Sequence, residues 1–320
     1  MAQFTNAVNT DWTTSLLAIS KDQFLTKLQD NIFDKSVIFQ TIKQNSQVII
    51  NDGGPQLQVP LMVSKNTGVN SLSGYDVVDT SPQSGFIDGT IGKAYYAAPI
   101  TISNKEEEEN GGDAQVVNLL AGRTMQAEQS MTDRLNQDLY LDGTGNGGKN
   151  LTGLLLMVPS ASGAGTYMGV NGGTVTAWDA QYQECASANI ISGASSLDSL
   201  WYRCSDGTDQ PDIVVTDDVG ITLYEQKNRT SGVGISYVNA SMADAGFKAV
   251  AYKGVPMVSD KGQGTGVYHM LNSKYLGFYY KSDLTDFVRP ANQLAKVSLV
   301  SVVCQLVSNN RRRQGKLILS

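Results

Sequence analysis

The run Gly143–Asn150, with the sequence GTGNGGKN, carries the residues that most resemble a ligand-binding motif. It matches both G-x-x-x-x-G-K and G-x-G-x-x-G, two patterns in which backbone amides and a helix N-terminus bind nucleotide phosphates. Both patterns need a strand before the loop and a helix after it. Here a predicted helix comes before, and Leu151–Leu155 follows as a turn and a strand. Asn150 stands where a Ser or Thr would bind magnesium, so we predict a glycine-rich turn that binds no nucleotide.

Histidine and cysteine give little support for catalysis. The single histidine, His269, lies in a predicted strand, where such a residue is more often structural than catalytic. The cysteines are odd in number and far apart, so they form no disulfide framework and favour a reducing cytosol. They also lack the spacing of zinc ligands. These cysteines are Cys185, Cys204 and Cys304. We therefore predict no catalytic residue, no cofactor-binding residue and no metal ligand, and we expect the protein not to be an enzyme.

Two charged clusters are candidates for contacts between subunits. The acidic cluster consists of Glu106, Glu107, Glu108 and Glu109. It precedes a predicted helix, whose dipole favours carboxylates at this end; the alternative is a divalent ion, although four consecutive side chains cannot all face one ion. The basic cluster consists of Arg311, Arg312 and Arg313. It lies in a predicted turn and has three interpretations: a phosphate contact, a pairing with acids of a neighbouring subunit, or a solvated turn.

The element around which the chain is organised is a predicted helix from Asp113 to Leu141. Apolar residues recur along it at helical spacing, at Val116, Leu120, Ala127, Met131, Leu135 and Leu139. Asp113 is suited to cap its start and Gly143 to end it with a left-handed residue. We expect Arg134 and Asp138, four residues apart, to pair on its solvent-exposed side. A helix about 43 Å long, at about 1.5 Å per residue, predicts a flat or elongated subunit.

Upstream of the helix the sequence predicts a long β-hairpin. A strand at Leu57–Val63 and a second strand at Lys93–Ser103 enclose a glycine- and serine-rich segment, Ser64–Lys93. A loop of that length inside a compact domain is normally functional or disordered. Because it holds few large apolar residues, we expect it to add little to its own core and to become ordered against a neighbour, with Tyr75 and Phe86 as contacts. The alternative is a plain flexible surface loop.

The flanking regions predict a mixed architecture. Residues 1–50 form a predicted arm, with a short helix carrying Phe24, Leu28 and Ile32 and an extended stretch through Phe39, and we expect this arm to dock on a neighbour. From residue 178 onward, helices and strands alternate, which is typical of an α+β protein. Helices are predicted at 178–192, 196–204 and 218–227, and strands at 211–217, 247–252, 255–258, 267–271, 275–280, 294–307 and 316–319.

Composition narrows the class of protein further. The chain has 320 residues, of which 17% are charged and 32 are glycine. Charged residues usually make up about 25% of a soluble protein. Because interface cores are depleted in charge, this composition fits a protein that is largely covered by copies of itself. The net charge of −6 argues against a nucleic-acid binder. The sequence shows no signal peptide and no apolar run of the length that a membrane span needs.

The order of these elements resembles the major capsid proteins of tailed bacteriophages, which have the Hong Kong 97-like fold. The stretches that carry the resemblance are Leu139–Gly145 with Leu151–Leu155, Pro211–Asp217, and Tyr252–Asp260 with Val267–Asn272. Together with the long hairpin and the long helix, their order and spacing cover nearly the whole chain. The resemblance implies an α+β fold with a spine helix, an extended β-hairpin loop, and peripheral and axial domains.

The resemblance also implies domain boundaries. An N-terminal arm would span residues 1–56, the extended loop 57–104, the peripheral domain 105–177 and 271–320 with the spine helix at 113–141, and the axial domain 178–270. The extended loop would lie over a neighbouring subunit. Some members of the family crosslink a lysine of this loop to an asparagine of another subunit. Lys65 and Lys93 are the lysines available here, but no partner asparagine or activating glutamate is identified, so we do not expect the crosslink.

The function implied is self-assembly into an icosahedral shell of hexamers and pentamers that encloses a double-stranded DNA phage genome. The expected partners are other copies of the chain, a separate scaffolding protein, a portal and a cement protein, with DNA contacted at most non-specifically and no membrane. A separate scaffold is expected because few residues precede the first strand and the chain begins with Met1. The expected location is the virion capsid, after assembly in the host bacterial cytoplasm.

Two alternatives to the capsid interpretation remain open at the level of the sequence. One is the shell protein of an encapsulin-type nanocompartment, which shares the fold but encloses protein cargo. The other, more remote, is a nucleotide-binding enzyme of unrelated fold that uses the run Gly143–Lys149.

Overall fold

A computed structural model describes residues 28–29, 36–45, 48–49, 54–109, 113–232, 250–285, 287–291 and 293–320. The side chains of residues 48, 107–109 and 113–121 are not part of this description. Most of the predicted arm, including Phe24 and Ile32, therefore lies outside the described residues, as do the side chains of Val116 and Leu120.

The fold is a mixture of helices and sheets, as predicted. The helices are α1 Val37–Gln44, α2 Asn104–Glu109, α3 Asp113–Leu139, α4 Gly145–Gly148, α5 Leu154–Met157, α6 Leu197–Cys204 and α7 Asp218–Thr230. The strands are β1 Val48–Ile49, β2 Gln56–Met62, β3 Phe86–Gly92, β4 Ala94–Ser103, β5 Thr166–Tyr167, β6 Val170–Asn171, β7 Gln181–Cys185, β8 Ile213–Thr216, β9 Val250–Tyr252, β10 Val255–Ser259, β11 Val267–Leu271, β12 Leu276–Leu284, β13 Ala295–Ser308 and β14 Gly315–Leu319.

Helix α3 confirms the predicted long helix. Its 27 residues span about 40 Å at about 1.5 Å per residue. The apolar stripe of its C-terminal half is buried and consists of Ala127, Met131, Leu135 and Leu139. Gly143, just beyond the helix, has the left-handed backbone (φ 83°) that the sequence predicts. Within the described part of the chain, no helix is both long and apolar enough to cross a membrane.

The long helix packs on a four-stranded sheet with the strand order β1-β12-β13-β4. Strand β13 is its centre and pairs antiparallel with β12 on one side and with β4 on the other. The residues of these strands that face the core are buried, including Ile100, Val300, Val302 and Leu306. Because β4 contacts α3, the edge of the sheet and the long helix form one platform.

A buried carboxylate joins the helix to this sheet. Asp138, near the end of α3, is fully buried. It accepts hydrogen bonds from the Tyr96 hydroxyl (2.7 Å), Arg134 Nε (3.0 Å) and Asn150 Nδ2 (3.4 Å). The Tyr96 hydroxyl in turn accepts from the backbone amide of Leu151 (2.7 Å). The predicted pair of Arg134 and Asp138 therefore exists, but its placement on the solvent-exposed side is wrong, because the carboxylate faces β4.

The second sheet has six strands in the order β7-β14-β11-β8-β10-β9. Adjacent residues of its central strands face opposite sides. Val214 packs with the buried residues of α6 and α7, whereas Val215 belongs to the larger core. Both helices begin at a capping side chain, Ser196 for α6 and Asp217 for α7, and Asp217 Oδ1 accepts from the amide of Gly220 at 2.9 Å. These two helices confirm the sequence predictions at 196–204 and 218–227.

Two expectations for this region need correction. Residues 178–192 do not form a helix, because a 3-10 turn ends at Trp178 and β7 follows. The inward positions of β7 include Gln181 and Gln183, whose amides donate to backbone carbonyls, so the strand lacks an apolar alternation that the sequence could display. The segment 271–320, which the expected domain boundaries place as a whole in the peripheral domain, divides between the two sheets. Strands β12 and β13 lie in the four-stranded sheet, and β14 lies between β7 and β11.

The long hairpin is present, but its return strand is not the predicted one. β2 pairs with β3, with Leu57 opposite Ile91, whereas the predicted partner at 93–103 is β4 of the four-stranded sheet. The base of the hairpin is anchored, because the amide of Thr90 donates to the Met168 carbonyl at 3.0 Å. A Cβ at Gly89 would lie only 2.8 Å from Leu61 Cδ1, so a larger residue there would have to displace the Leu61 side chain. Residues 89–91 therefore contribute to the core, contrary to the expectation for Ser64–Lys93.

Residues 37–44 form helix α1 instead of the predicted extended stretch. The side chains that drive this packing are buried and comprise Val37, Ile38, Phe39 and Ile42. The ring centroids of Phe39 and Phe278 are 4.5 Å apart. β-branched residues lower helix propensity, but packing against the sheet overrides it. This part of the arm packs on its own subunit, so the expectation that it docks on a neighbour is wrong for these residues.

Replacing Tyr96 with Phe should lower the free energy of unfolding by about 1–3 kcal/mol, because Asp138 and the Leu151 amide lose a buried partner. The matched control is Tyr95→Phe: Tyr95 is 70% exposed, so its effect should stay within about 0.5 kcal/mol. Urea unfolding of both variants and of the parent measures the difference. Equal losses in the two variants would contradict this description of the joint between helix and sheet.

Candidate functional site

The glycine-rich turn lacks the surroundings of a phosphate site. It follows the C-terminal end of α3, where the helix presents carbonyls and a dipole that disfavours anions. Asp142 adds a carboxylate whose Oδ1 accepts from the amide (3.0 Å) and the hydroxyl (2.7 Å) of Thr144, and these bonds lower the pKa of Asp142. The one-turn helix α5 follows instead of the predicted strand. The geometry therefore supports a turn and not a nucleotide loop.

His269 is buried in β11, opposite Lys316 of β14. Its Nδ1 lies 3.1 Å from Gln263 Oε1. Burial, together with the positive charge of Lys316, lowers the pKa of His269 to about 3, so the imidazole is neutral at physiological pH. Lys316 Nζ donates to Ser160 Oγ (2.9 Å), and burial lowers its pKa as well. These contacts are those of a structural histidine.

The cysteines are buried free thiols, and burial raises the pKa of each: Cys185, Cys204 and Cys304. A thiol with a raised pKa is a poor nucleophile and a poor metal ligand at neutral pH. Among the described side chains, no group of three or more His, Cys, Asp and Glu residues is arranged to hold a metal ion.

The three arginines of the basic cluster lie in three different environments. Arg311 is fully buried, and burial lowers its pKa, while the charge of Asp179 acts in the opposite direction. The Arg311 guanidinium donates to the backbone carbonyls of Leu156, Met157, Ala164 and Gly165. Arg313 pairs with Asp206 of the same chain, whereas Arg312 is exposed. Arg311 is therefore a core residue, and its interpretation as a contact with another subunit is wrong because its hydrogen bonds are used within its own chain.

The described part of the acidic cluster is also engaged within its own chain. Glu106 Oε1 pairs with Arg123 Nη2 at 2.6 Å, and Glu106 Oε2 accepts from the amide of Ser103 at 3.1 Å. Arg123 Nη1 also donates to the Thr101 carbonyl at 2.9 Å, which ties α3 to β4. The remaining glutamates continue α2, and their side chains lie outside the described ones: Glu107, Glu108 and Glu109. The structure thus brings Glu106 to Arg123 and not to the basic cluster.

The hairpin exposes apolar side chains beyond its anchored base. They are Met62, Val69, Leu72, Tyr75, Val77, Val78, Phe86 and Ile87. Tyr75 is completely exposed and Phe86 is 71% exposed. Lys65 is exposed in the same part of the hairpin. Lys93 differs, because its Nζ lies 4.6 Å from the ring centroid of Tyr279 and so contacts its own subunit. The role of Lys65, Tyr75 and Phe86 as contacts with a neighbour stays a prediction.

Sequence reasoning missed a second apolar surface, on the four-stranded sheet. Tyr95 of β4 and Leu299 of β13 are 70% and 41% exposed, and Val288 and Leu294 in the adjoining loop are 62% and 76% exposed. Both strands alternate buried residues with exposed or half-buried ones, which is a visible signal. It becomes informative only when the pairing of β4 with β13 is known, because that pairing places the exposed residues of two distant segments side by side.

Comparison with known proteins defines the fold. No protein-family model and no curated protein matches the chain. A chain of the cyanophage A-1(L) capsid asymmetric unit is 15% identical, with a TM-score of 0.67 over 88% of this chain and 92% of that one. A chain of the capsid of an empty GTA particle is 14% identical, with a TM-score of 0.58 over 88% and 90%. A chain of the holo-SrpI encapsulin complex from Synechococcus elongatus is 12% identical, with a TM-score of 0.55 over 87% and 86%. The chain therefore has the Hong Kong 97-like capsid fold.

The buried histidine should make stability depend on pH. Its folded-state pKa of about 3 lies below the ordinary value of 6.5, so the unfolded chain binds a proton first as the pH falls. The contribution of the neutral imidazole to the free energy of unfolding is complete above about pH 6.5. It should fall by about 1.4 kcal/mol per pH unit between roughly pH 6.5 and 3. His269→Gln should remove that part of the slope in urea unfolding measured across this range. Identical slopes for the variant and the parent would contradict the burial of a neutral imidazole.

The two neighbouring arginines should differ sharply in their effect on stability. Arg311→Met should lower the free energy of unfolding by about 3–5 kcal/mol, because buried carbonyls lose a charged donor. Arg312→Met, the exposed control, should change it by less than about 0.5 kcal/mol. Thermal and urea unfolding measure both. A mild effect of Arg311→Met, comparable with that of the control, is the result that would refute a core role for Arg311.

Proposed function

We propose that this chain is a major capsid protein, which assembles as hexamers and pentamers into the icosahedral shell of a tailed bacteriophage around double-stranded DNA. The single observation that carries the proposal is the exposed apolar part of the β2–β3 hairpin in a chain with a Hong Kong 97-like fold. A fold alone does not define a function, so the argument rests on this surface.

The exposed hairpin is costly for an isolated subunit. Residues 62–87 contain only a few charged side chains, Lys65, Asp76 and Asp79. Fully burying a large apolar side chain stabilises by about 1.5–3 kcal/mol, and soluble monomers rarely expose an extended apolar patch. The long segment between β2 and β3 has little core of its own. A neighbouring copy that covers it would offset the cost of ordering it, about 1–2 kcal/mol per residue for the backbone.

The partners in this proposal are chiefly other copies of the chain. A separate scaffolding protein, a portal and a cement protein are the further partners that a phage shell would use, and assembly would take place in the host bacterial cytoplasm before the subunit resides in the virion. Contact with packaged DNA would be at most non-specific, which is consistent with the net charge of −6. In domain terms, the four-stranded sheet with α3 would form the peripheral domain, and the six-stranded sheet with α6 and α7 the axial domain.

A second candidate is the shell protein of an encapsulin-type compartment. The likeness to the SrpI encapsulin chain favours it, although the TM-score of 0.55 is below the 0.67 of the cyanophage capsid chain. The two functions share the subunit fold and differ in cargo. Analysis of purified native particles for DNA and for protein cargo separates them: packaged genomic DNA supports the capsid proposal, and a single enclosed protein without DNA supports the compartment.

Shortening the hairpin tests the proposal. Replacing residues 64–84 with a short Gly-Ser turn should leave a soluble subunit with a similar melting temperature, because β2, β3 and the anchored base remain. The same variant should form no closed shells, because it lacks the apolar surface of the hairpin. Thermal melting, sedimentation velocity and negative-stain microscopy on one preparation measure both properties.

A second variant keeps the length of the hairpin and removes only its apolar side chains. It carries Ser at positions 69, 72, 75, 77 and 78, in place of Val69, Leu72, Tyr75, Val77 and Val78. If the apolar contacts and not the length of the hairpin drive assembly, this variant should also fail to close shells. Normal shells from the shortened variant would mean that the hairpin is not needed for assembly. Loss of folding would mean that the replaced residues belong to the core.

A further inference from the structure

The dipeptide Asn-Gly occurs twice among the described residues, in two different environments. Asn146-Gly147 lies in the glycine-rich turn that follows α3, and Asn171-Gly172 lies at the end of β6. The third Asn-Gly of the chain, at 110–111, lies outside the described residues. Asparagine is thermolabile, because the backbone nitrogen of the next residue can attack its side-chain amide. A glycine in that next position hinders the attack least, since it has no Cβ.

The surroundings of Asn171 oppose this attack. Its Oδ1 accepts a hydrogen bond from the amide of Gly173 at 2.7 Å, and its Nδ2 donates to Thr166 Oγ1 at 3.4 Å. Gly172 is buried, and a Cβ built on it would lie 2.9 Å from Asp179 Oδ1. The peptide group between Asn171 and Gly172 therefore cannot turn towards the Asn171 side chain without breaking these contacts.

Asn146 is restrained far less. Among the described residues, no group is hydrogen-bonded to its side chain. Asn146, Gly147 and Gly148 are all exposed, and a Cβ built on either glycine would meet no atom within 4 Å. One backbone hydrogen bond spans this part of the turn, from the amide of Gly148 to the carbonyl of Thr144 at 3.0 Å. The peptide group after Asn146 can therefore turn, at the cost of that one bond, until the Gly147 nitrogen faces the side-chain carbon.

We propose that Asn146 is a site of spontaneous deamidation in the folded protein and that Asn171 is protected from it. The Gly147 nitrogen forms a bond to Asn146 Cγ, the bond from Cγ to Nδ2 breaks, and ammonia leaves with the proton of the Gly147 amide. The product is a five-membered succinimide. Water then opens the ring at one of its two carbonyl carbons and returns a proton to the nitrogen, which gives aspartate or isoaspartate. The net reaction consumes one water and releases one ammonia.

Either product adds a carboxylate where the fold disfavours one. The turn follows the C-terminal end of α3, whose dipole repels negative charge, and Asp142 already places a carboxylate there. Isoaspartate also inserts one carbon into the backbone of the turn. The turn leads to Asn150, whose Nδ2 donates to the buried carboxylate of Asp138 at 3.4 Å. Deamidation at Asn146 should therefore loosen the joint between α3 and the four-stranded sheet, and aged protein should melt at a lower temperature than fresh protein.

Ageing of the purified full chain tests the assignment. Samples are incubated at neutral and at alkaline pH, digested, and analysed by mass spectrometry with electron-based fragmentation, which separates isoaspartate from aspartate. In the folded protein, Asn146 should be converted at least about tenfold faster than Asn171. Both rates should rise with pH, because the attacking amide must lose its proton. The control is the same incubation in guanidinium chloride, where the contacts around Asn171 are lost and the two rates should become similar.

A variant that cannot react tests the consequence for stability. Asn146→Gly removes the side-chain amide and tolerates the left-handed backbone of this position (φ 52°). Its melting temperature should stay constant on ageing, whereas that of the parent should fall as isoaspartate accumulates. Equal conversion of Asn146 and Asn171 in the folded protein, or conversion of Asn171 alone, would overturn the assignment. An equal fall in melting temperature for the variant and the parent would overturn the link between this turn and the joint.

Discussion

The arrangement of the long helix on the four-stranded sheet depends on the buried carboxylate of Asp138. A charged group without access to water needs several donors, and here they come from different elements: Tyr96 of β4, Arg134 of α3 and Asn150 of the following turn. The C-terminal end of the long helix, the edge of the four-stranded sheet and the glycine-rich turn are therefore held in one arrangement. Since Lys93 alone separates β4 from β3, the direction in which the hairpin leaves the body depends on the same joint.

On this rigid platform the subunit displays two apolar surfaces that it does not cover itself. The hairpin is held at its base by the bond from Thr90 to the Met168 carbonyl. The turn of β5 and β6 that provides this carbonyl follows the segment whose backbone carbonyls bind Arg311. Arg311 thus supports, from inside the fold, the segment that leads to the anchor of the hairpin. The second apolar surface lies on the four-stranded sheet, on strands β4 and β13 and the adjoining loop.

Predictions from the sequence were most accurate where local sequence signals agree with the tertiary packing. The period of α3, the left-handed Gly143 beyond its end and the helix predicted at 218–227 are all readable from short stretches. Prediction from the sequence failed where contacts between distant segments determine the local structure. The glutamines of β7 take the place of apolar residues, α1 is helical because Phe39 meets Phe278, and β4 leaves the hairpin for β13. For the candidate site, the length and the glycine- and serine-rich composition of the segment between β2 and β3 identified the hairpin. The burial of Arg311 and the second apolar surface, on β4 and β13, depend on contacts between distant segments that no local sequence pattern displays.

The central claim is that the apolar part of the hairpin is covered by another copy of the chain. Amide hydrogen exchange measured by mass spectrometry, on dilute subunits and on assembled particles of the same protein, tests it most directly. The account predicts that the amides of residues 64–84 exchange quickly in the subunit and are strongly slowed in the particle, while those of α3 change little. Equally fast exchange of residues 64–84 in both states would contradict the account.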